Sequence, residues 1–266
     1  MIPKIIHYCW FGYSKKPKLV KDCIASWNFF LPEFEIIEWN ETNCDLSHPF
    51  VKQAYKEKKW AFVSDYIRLK KLYEIGGIYL DTDMLILKSI NNFLEDNCFF
   101  GAEDANHISA GIIGAKKNDN FILNCMNQYD LLSQDELSYT QITIPSIITR
   151  VFNLENGCFS FNNDVIVKND VMVYPPDYFY PLPFENRKDN IRYLNYVKPN
   201  SVAVHLWSAS WIEYSEFHYF RNKQYLLGFK KMLKVIVKQK MVRLKYYRKI
   251  ASCLKESLKK DSQISN

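Results

Sequence analysis

The sequence predicts an α/β fold in which a parallel sheet is covered by helices. Short apolar runs alternate with segments of helical spacing through the first third of the chain, which is the pattern of βαβ units. With 266 residues, 48% of them hydrophobic, the chain can bury a sizeable core. These observations favour one large domain, alone or with an appendage, with nucleotide-binding potential.

The first elements follow from apolar runs and helix breakers. "KIIHYCW" (4–10) is apolar enough for a buried strand. "KLVKDCIASWNFF" (18–30) has helical spacing and stops near Pro32, because proline cannot continue a helix. "FEIIEW" (34–39) predicts the second strand.

The remaining elements continue this alternation. Two helices are predicted at 49–58 and 60–75, before the strand "GIYLD". Five prolines break up 158–200 into short strands and turns. Further elements are expected as strands at 98–104, 108–117 and 201–207 and as helices at 119–132 and 140–152.

Charge is distributed unevenly, which suggests a second part of the chain. The net charge is +6, yet residues from 221 onward carry 14 Lys and Arg against two Asp and Glu. We therefore expect a catalytic domain over 1–220 and a basic amphipathic helical tail over 221–266, with its main helix at 229–260. Such a helix suits an anionic membrane surface. It could instead pack on the domain, and nucleic acid is not expected because the body is acidic and no recognition motif occurs.

Other segments exclude several classes of protein. No apolar run approaches the roughly 20 residues that span a bilayer, and residues 1–12 do not resemble a signal peptide. Seven cysteines are scattered without CxxC spacing. This number and arrangement predict reduced thiols of a cytosolic protein rather than a disulfide or zinc framework.

Two acids, Asp81 and Asp83, follow the run "GGIYL". Side chains at i and i+2 point to the same side of a strand, so both carboxylates can converge, and they repel unless a cation neutralises them. Oxygen ligands suit Mg²⁺ or Mn²⁺, which usually also hold substrate phosphates. The alternatives are a solvated strand end and a phosphatase of the haloacid dehalogenase type. The phosphatase ranks lower because Met84 and Leu85 follow.

Upstream, Asp65 and Arg68 are three residues apart and hence share one helix face. Taken alone, this spacing is equally typical of a simple ion pair. The order of a helix with Asp and Arg, then Gly-Gly, a strand and D-x-D is much more specific.

Three segments, "IPKIIHYCWFG", "SDYIRLKKLYEIGGIYLDTD" and "HLWSASW", resemble glycosyltransferase family 32. That family includes bacterial capsule and O-antigen transferases, and the clostridial glucosylating toxins share its core motif. The resemblance covers roughly residues 1–115 and, in outline, 200–211. It implies a GT-A fold, meaning a Rossmann-like central mixed sheet flanked by helices, together with a nucleotide-sugar donor and a divalent metal.

The central motif carries the implied catalytic residues. By this resemblance Asp81 contacts ribose and donor sugar, and Asp83 binds the metal, with Asp81 close to the same ion. Asp65 and Arg68 would hold the sugar hydroxyls and the leaving-group region. Tyr79 would line the donor site.

Five further residues are weaker candidates. Trp10, at the exit of the first strand with Tyr8, matches an aromatic residue that packs against the base, although core packing would explain it equally. Asp104 is the next acid available to a sugar hydroxyl, and Trp211 would close over the donor. His205 is expected to ligate the metal or contact the diphosphate, since neutral imidazole suits Mn²⁺. A core histidine is the alternative there.

The implied reaction is retaining transfer of a hexose from a nucleoside diphosphate sugar, with UDP-hexose favoured, to a glycan hydroxyl. A front-face substitution is expected, because no Asp or Glu stands out as a nucleophile. The acceptor would be a glycan on polyprenyl diphosphate in capsule or O-antigen synthesis. This places the protein in the cytoplasm, at the inner face of the membrane. An inactive sugar-binding or nucleotide-binding module is the alternative.

Overall fold

The structure is a computed structural model that describes residues 1–132, 143–161, 164–208, 216–221, 223–239 and 244–262. The chain divides into two compact units, Met1–Ser208 and Ala209–Asn266, and each is described by itself. The assignment of catalysis to 1–220 and of membrane binding to 221–266 stays a prediction.

A seven-stranded mixed sheet forms the centre of the first unit, in the order β2-β1-β3-β6-β5-β8-β7. Three neighbouring pairs are parallel and three are antiparallel. Two short strands, β4 and β9, pair separately and antiparallel. The strands are β1 Ile5–Cys9, β2 Glu35–Trp39, β3 Gly77–Leu80, β4 Met84–Ile86, β5 Cys98–Ala102, β6 Ile108–Ala115, β7 Ile166–Lys168, β8 Val171–Tyr174 and β9 Ala203–His205.

Helices cover both faces of this sheet. The side chains of α2 to α5 pack on one face, and those of α1 and α6 on the other. The helices of this unit are α1 Lys18–Phe30, α2 Pro49–Lys56, α3 Trp60–Ile75, α4 Asn120–Asp130, α5 Ile144–Asn156 and α6 Pro176–Phe179, with 3₁₀ turns at Asn91–Glu95 and Phe184–Asn195. The predicted fold class, a Rossmann-like mixed sheet flanked by helices, is confirmed. The expectation of a wholly parallel sheet is wrong, because β6 and β7 run antiparallel to their neighbours.

The strand directions bring several chain segments to one edge of the sheet. Strands β1 and β2 run parallel to β3, and β5 does too because both β3 and β5 are antiparallel to β6. The ends of β3 and β5 and the beginning of β6 therefore lie at the same edge. In α/β sheets this is the edge where ligands bind.

The glycines before β3 fix how α3 leads into the sheet. Gly76 ends the helix with φ +78°, and Gly77 follows with φ +117°. The His7 ring packs beside them, with its Nε2 donating to the Gly76 carbonyl and its Nδ1 accepting from Trp39. Burial lowers the pKa of His7, which keeps the ring neutral. His7 is thus a satisfied core histidine.

The described residues of the second unit form three helices where the sequence predicts one long one. They are α7 Glu216–Arg221, α8 Tyr225–Gln239 and α9 Leu244–Ser262. Phe220, Ile250 and Cys253 form its buried centre, and α7 packs against both other helices. The prediction of one continuous helix over 229–260 is wrong, because the Tyr225 hydroxyl at the start of α8 lies 3.1 Å from the Ser257 hydroxyl in α9. None of the helices within the described ranges is long and apolar enough to cross a membrane.

We expect Gly77→Ala to destabilise the fold. A Cβ there would lie 2.7 Å from the Ile5 carbonyl oxygen and from His7 Nε2, at a φ that side chains rarely adopt. The free energy of unfolding in urea should fall by more than the about 1–3 kcal/mol of backbone strain alone. Gly157→Ala is the matched control, because its φ is +87° but nothing lies within 4 Å. Equal losses in the two variants would contradict the steric argument.

Candidate active site

The two acids stand in a tight turn between β3 and β4. The Asp81 amide donates to the Gly111 carbonyl of β6 at 2.8 Å, and the Met84 amide donates to the Asp81 carbonyl at 2.9 Å. The turn thus places both carboxylates at the binding edge of the sheet. Asp83 is buried, whereas the Asp81 side chain is 27% exposed. The two acids therefore meet different surroundings.

Asp83 is held by the chain segment around β9. One carboxylate oxygen lies 2.9 Å from His205 Nε2, and the other accepts from the Ser208 amide at 2.7 Å. Burial opposes its ionisation, but His205 and Ser208 outweigh burial and hold the pKa of Asp83 well below its usual range. Burial lowers and the Asp83 carboxylate raises the pKa of His205, and the net direction is upward. Asp83 is thus ionised at neutral pH.

Asp81, Asp83 and His205 each offer one ligand atom, and these atoms lie within 4.8 Å of one another. Adjacent ligand atoms on an octahedral ion with bonds of about 2.1 Å are about 3 Å apart, which fits the 2.9 Å between Asp83 and His205. The buried Nδ1 of His205 has no hydrogen-bond partner among the described residues. Two carboxylates with an imidazole fit a divalent metal, and the imidazole favours Mn²⁺ over Mg²⁺. The structure thus brings the three predicted metal ligands together.

Arg68 connects the helix α3 to this edge. Its guanidinium donates to Asp65 at 3.0 Å, to the Ala110 carbonyl at 2.8 Å, and to the hydroxyl and carbonyl oxygens of Ser64. It also forms an ion pair with Asp81 at 3.2 Å. Both Asp65 and Arg68 are buried. Their pairing is therefore part of the site and not a surface ion pair.

Tyr79 completes this group from the strand β3. Its hydroxyl donates to Asp81 at 3.0 Å, and the Arg68 guanidinium lies 4.4 Å from the ring centroid. Burial raises the pKa of Tyr79, so the phenol keeps its proton. Burial lowers the pKa of Arg68, but the neighbouring carboxylates, first Asp81, outweigh it and the net direction is upward. The motif residues thus form one hydrogen-bonded network.

The residues predicted to lie near the nucleotide base form a separate group at the end of β1. Tyr8 is buried and its hydroxyl donates to Glu38 at 2.6 Å, while Trp10 donates to the Ser14 carbonyl. Lys16 pairs with Glu38 at 2.6 Å and lies 5.7 Å from the Trp10 ring. Their role in donor binding stays a prediction. The half-buried Trp10 indole is compatible with stacking by a base.

Asp104 does not join the network. Its carboxylate accepts from the amides of Asn106 and His107 and from the His107 ring, all within its own loop. The preceding Glu103 is more enclosed: burial raises its pKa, and it interacts with Ser109 and His205. Glu103 is thus the more enclosed acid of this loop. The sequence signal that could have identified Glu103 is its position directly after the buried strand β5.

Tyr180 is a further residue that sequence analysis missed. Its hydroxyl accepts from the Ile112 amide at 3.0 Å, and its ring lies 5.7 Å from His205. A Cβ on Gly111 would meet the Tyr180 oxygen at 3.0 Å and Asp81 Oδ2 at 3.4 Å. The glycine therefore allows the close approach. Tyr180 lies in the proline-rich segment, where no periodic pattern marked it.

Trp211 lies outside the described residues. The preceding tryptophan, Trp207, is described, and its ring lies 4.0 Å from that of His205. It has a left-handed backbone at φ +50° and donates to the Leu182 carbonyl at 2.7 Å. This conformation aims the next amide, that of Ser208, at Asp83. Trp207 therefore positions the backbone that holds Asp83.

Comparison with known proteins indicates the kind of protein to which this chain is similar. Residues 17–100 match the family model described as a glycosyltransferase sugar-binding region containing a DXD motif. A lactosylceramide 4-alpha-galactosyltransferase of Rattus norvegicus is 27% identical over 154 residues, which cover 55% of this chain and 40% of that relative. These matches support a glycosyltransferase family.

Two further proteins are similar over other shares of the chain. An uncharacterised glycosyltransferase, L373, of Acanthamoeba polyphaga mimivirus is 26% identical over 243 residues, covering 84% of this chain and 90% of that relative. The solved PaToxG glycosyltransferase has a TM-score of 0.49 at 17% identity, covering 58% and 69% of the two chains. The chain spans about two fifths of the length of the galactosyltransferases that it matches. Membership of family 32 stays a prediction.

The pKa of Asp65 predicts a pH-dependent stability. Burial raises it to about 7 despite Arg68, compared with about 3.9 in an unfolded chain. Between these values the folded state keeps a proton on Asp65 that the unfolded state releases, so the contribution of Asp65 to the free energy of unfolding falls as pH rises from about 4 to about 7.

Asp65→Asn should reduce this pH-dependent decrease in the free energy of unfolding. The decrease is on the order of 2–4 kcal/mol for the rise in the pKa of Asp65. Urea unfolding at several pH values measures it. Asp164→Asn, at an exposed position, should keep the wild-type slope. An unchanged slope in Asp65→Asn would show that Asp65 does not hold its proton in the folded state.

Proposed function

We propose that this chain is a metal-dependent, retaining hexosyltransferase. It would transfer a hexose from a nucleoside diphosphate sugar, with UDP-hexose favoured, to a hydroxyl of a glycan. The observation that carries the proposal is the convergence of Asp81, Asp83 and His205 at the ligand-binding edge, beside the buried pair Asp65 and Arg68. A binding module would have no need of this buried and mutually dependent charge network.

Asp83, His205 and Asp81 would hold the divalent metal. When bound, such an ion neutralises the negative charge that develops on the departing diphosphate. Asp83 suits direct ligation because it is ionised, buried and fixed at both oxygens. Asp81 is more exposed, and we assign it the additional contact to the donor sugar and ribose.

Arg68 would act through Asp81. Its guanidinium nitrogens are already engaged by Ser64, Asp65 and Ala110 in addition to Asp81. A guanidinium has five N–H donors, and this arrangement uses most of them. We therefore infer that Arg68 fixes the orientation of Asp81 and supplies positive charge near the leaving group, and that direct contacts to sugar hydroxyls come from Asp81.

A lipid-linked acceptor is the favoured partner. The rat relative is named for galactose transfer to lactosylceramide, a sugar carried on a lipid. By analogy we propose UDP-galactose as the first donor to test. We propose a glycan on a polyprenyl diphosphate as the acceptor, in synthesis of a surface polysaccharide such as capsule or O-antigen. The protein would then work in the cytoplasm, at the inner face of the membrane.

A donor screen tests the activity directly. Purified protein with Mn²⁺ and each of several UDP-sugars and GDP-sugars should release nucleoside diphosphate from one of them. A phosphatase would release phosphate from phosphomonoesters without any nucleotide, and an inactive module would release neither. Failure to release nucleoside diphosphate from any donor, with and without added glycans, would contradict the proposal.

Asp83→Asn should remove this activity while leaving the fold intact. The amide keeps the shape of the side chain but lacks the charge that binds the metal. Affinity for Mn²⁺, followed in the presence of UDP by loss of the free-ion EPR signal, should fall by at least about tenfold. Asp22→Asn, at an exposed position on α1, should bind Mn²⁺ like the wild type. Wild-type turnover in excess EDTA would refute the metal role.

The helix α8 of the second unit exposes apolar side chains. Leu226, Leu233 and Val237 of α8 are 71%, 57% and 78% exposed, and their spacing places them along one helix face. Exposed lysines 230 and 234 lie on the same helix. We propose that this face rests on an anionic bilayer, where each nearby Lys or Arg contributes about 1 kcal/mol. The helices α7 and α9 would hold α8 in place.

Sedimentation with liposomes tests the membrane proposal. The full chain should pellet with phosphatidylserine vesicles at low salt and be released at high salt, since salt screens the lysine contribution. A double variant, Leu233→Ser with Val237→Ser, should stay in the supernatant. Ile191→Ser removes an apolar side chain that is 91% exposed in the first unit and should still pellet. Equal binding by all three proteins would contradict the role of α8.

A further inference from the structure

A cleft with polar and apolar walls lies between the helix α5 and the loop that joins β5 to β6. We call it the α5 cleft. Its volume is about 490 Å³, within the roughly 300–1,000 Å³ typical of small-molecule sites. It is lined by Asn106, His107, Ser146, Thr149, Arg150, Asn153, Leu154 and Cys158.

The α5 cleft adjoins the candidate active site through the β5–β6 loop. Glu103 and His107 belong to this loop, and their facing backbone groups are hydrogen-bonded at 3.0 Å. His107 lines the cleft, whereas Glu103 interacts with both His107 and His205. Because β5 ends at the same sheet edge as β3, the loop lies beside the turn that carries Asp81. The cleft therefore lies at the same edge of the sheet as Asp81, Asp83 and His205.

The walls of the cleft are fixed in position. The Thr149 hydroxyl of α5 accepts from the Ile108 amide at 2.9 Å, which ties the helix to the first residue of β6. The Phe161 amide donates to the Ala105 carbonyl at 3.0 Å on the loop side. A site that must present a hydroxyl to a reacting carbon needs such rigid walls.

The lining suits a neutral, polyhydroxylated ligand. The side-chain oxygen of Asn153 is buried and has no hydrogen-bond partner in the part of the chain that the structure describes. Such an acceptor is costly to bury unless a ligand hydroxyl donates to it. Arg150 and His107 add donors, and none of the described residues that line the cleft is a carboxylate. The positive charge of Arg150 disfavours a basic peptide as the ligand.

We propose that the α5 cleft is the acceptor subsite, where a sugar residue of the acceptor glycan binds beside the donor. The proposal rests on the proposed transferase function and adds the location of the acceptor to it. Asn153 and Arg150 would hold the acceptor ring, and Glu103 would face its reacting end from the loop. The donor residues Arg68 and Asp81 take no part in this subsite.

Cys158 allows a test that does not depend on turnover. It lines the cleft and is exposed, whereas Cys44 is partly buried elsewhere. Alkylation of each thiol by iodoacetamide is followed by peptide mass spectrometry. Lactose or one of a panel of methyl hexosides, with UDP and Mn²⁺ present, should slow the reaction of Cys158 several-fold and leave Cys44 unchanged. If none of these sugars protects Cys158, with or without UDP and Mn²⁺, the cleft is not an acceptor subsite.

A variant that fills the cleft gives the second measurement. Ser146 is exposed on α5, so Ser146→Trp should occupy the cleft without disturbing the core. It should retain hydrolysis of the donor but lose at least about tenfold in kcat/KM for the protecting sugar. Glu155→Trp is the matched control, because Glu155 is exposed on the same helix outside the cleft. Wild-type transfer by Ser146→Trp would overturn the inference, whereas absent donor hydrolysis in the wild type would refute the transferase itself.

Discussion

The candidate site depends on the hydrogen bonds and ion pairs of the buried Arg68 guanidinium. A charge taken out of water is costly unless it is paired and hydrogen-bonded. Arg68 meets this requirement with partners from three elements: Asp65 on its own helix, Ala110 on β6 and Asp81 after β3. No one of these elements can shift without leaving a charge or a carbonyl unpaired. The contacts that offset the cost of burying the Arg68 charge therefore also fix the position of Asp81.

The second acid is fixed by an independent set of contacts. Asp83 is enclosed with His205, and the antiparallel pair of β4 and β9 aligns Met84 directly opposite that histidine. Two carboxylates only two residues apart are thus stabilised by different partners, a guanidinium for one and an imidazole with a backbone amide for the other. This division explains how a buried strand can end in two acids, and it leaves the more exposed Asp81 able to contact a substrate.

Sequence patterns predicted the parts of the fold that depend on local chemistry. The helix Lys18–Phe30 agrees with the prediction, because apolar spacing and the proline after it are local signals. The strand Gly77–Leu80 and the charges near it were found because they lie within a few residues of one another.

Strand β4 was missed, since its three residues pair with a strand more than a hundred positions away. Glu103, Tyr180 and Trp207 were missed for the same reason: their roles come from contacts across the fold. The single helix at 229–260 failed because amphipathic spacing does not reveal where a chain folds back on its own apolar face.

The pairing of β4 with β9 has a consequence for the order in which the protein assembles. Asp83 and His205 are separated by 122 positions, and β9 is the partner of β4. At a synthesis rate of about 5–20 residues per second, roughly 6–24 s pass between the emergence of the acids and that of the histidine. During that interval the nascent chain carries an unpaired strand and an uncompensated carboxylate at its binding edge. The metal-ligand group is therefore completed late, and a chain that stalls before residue 203 carries the full D-x-D motif without the strand that holds it in place.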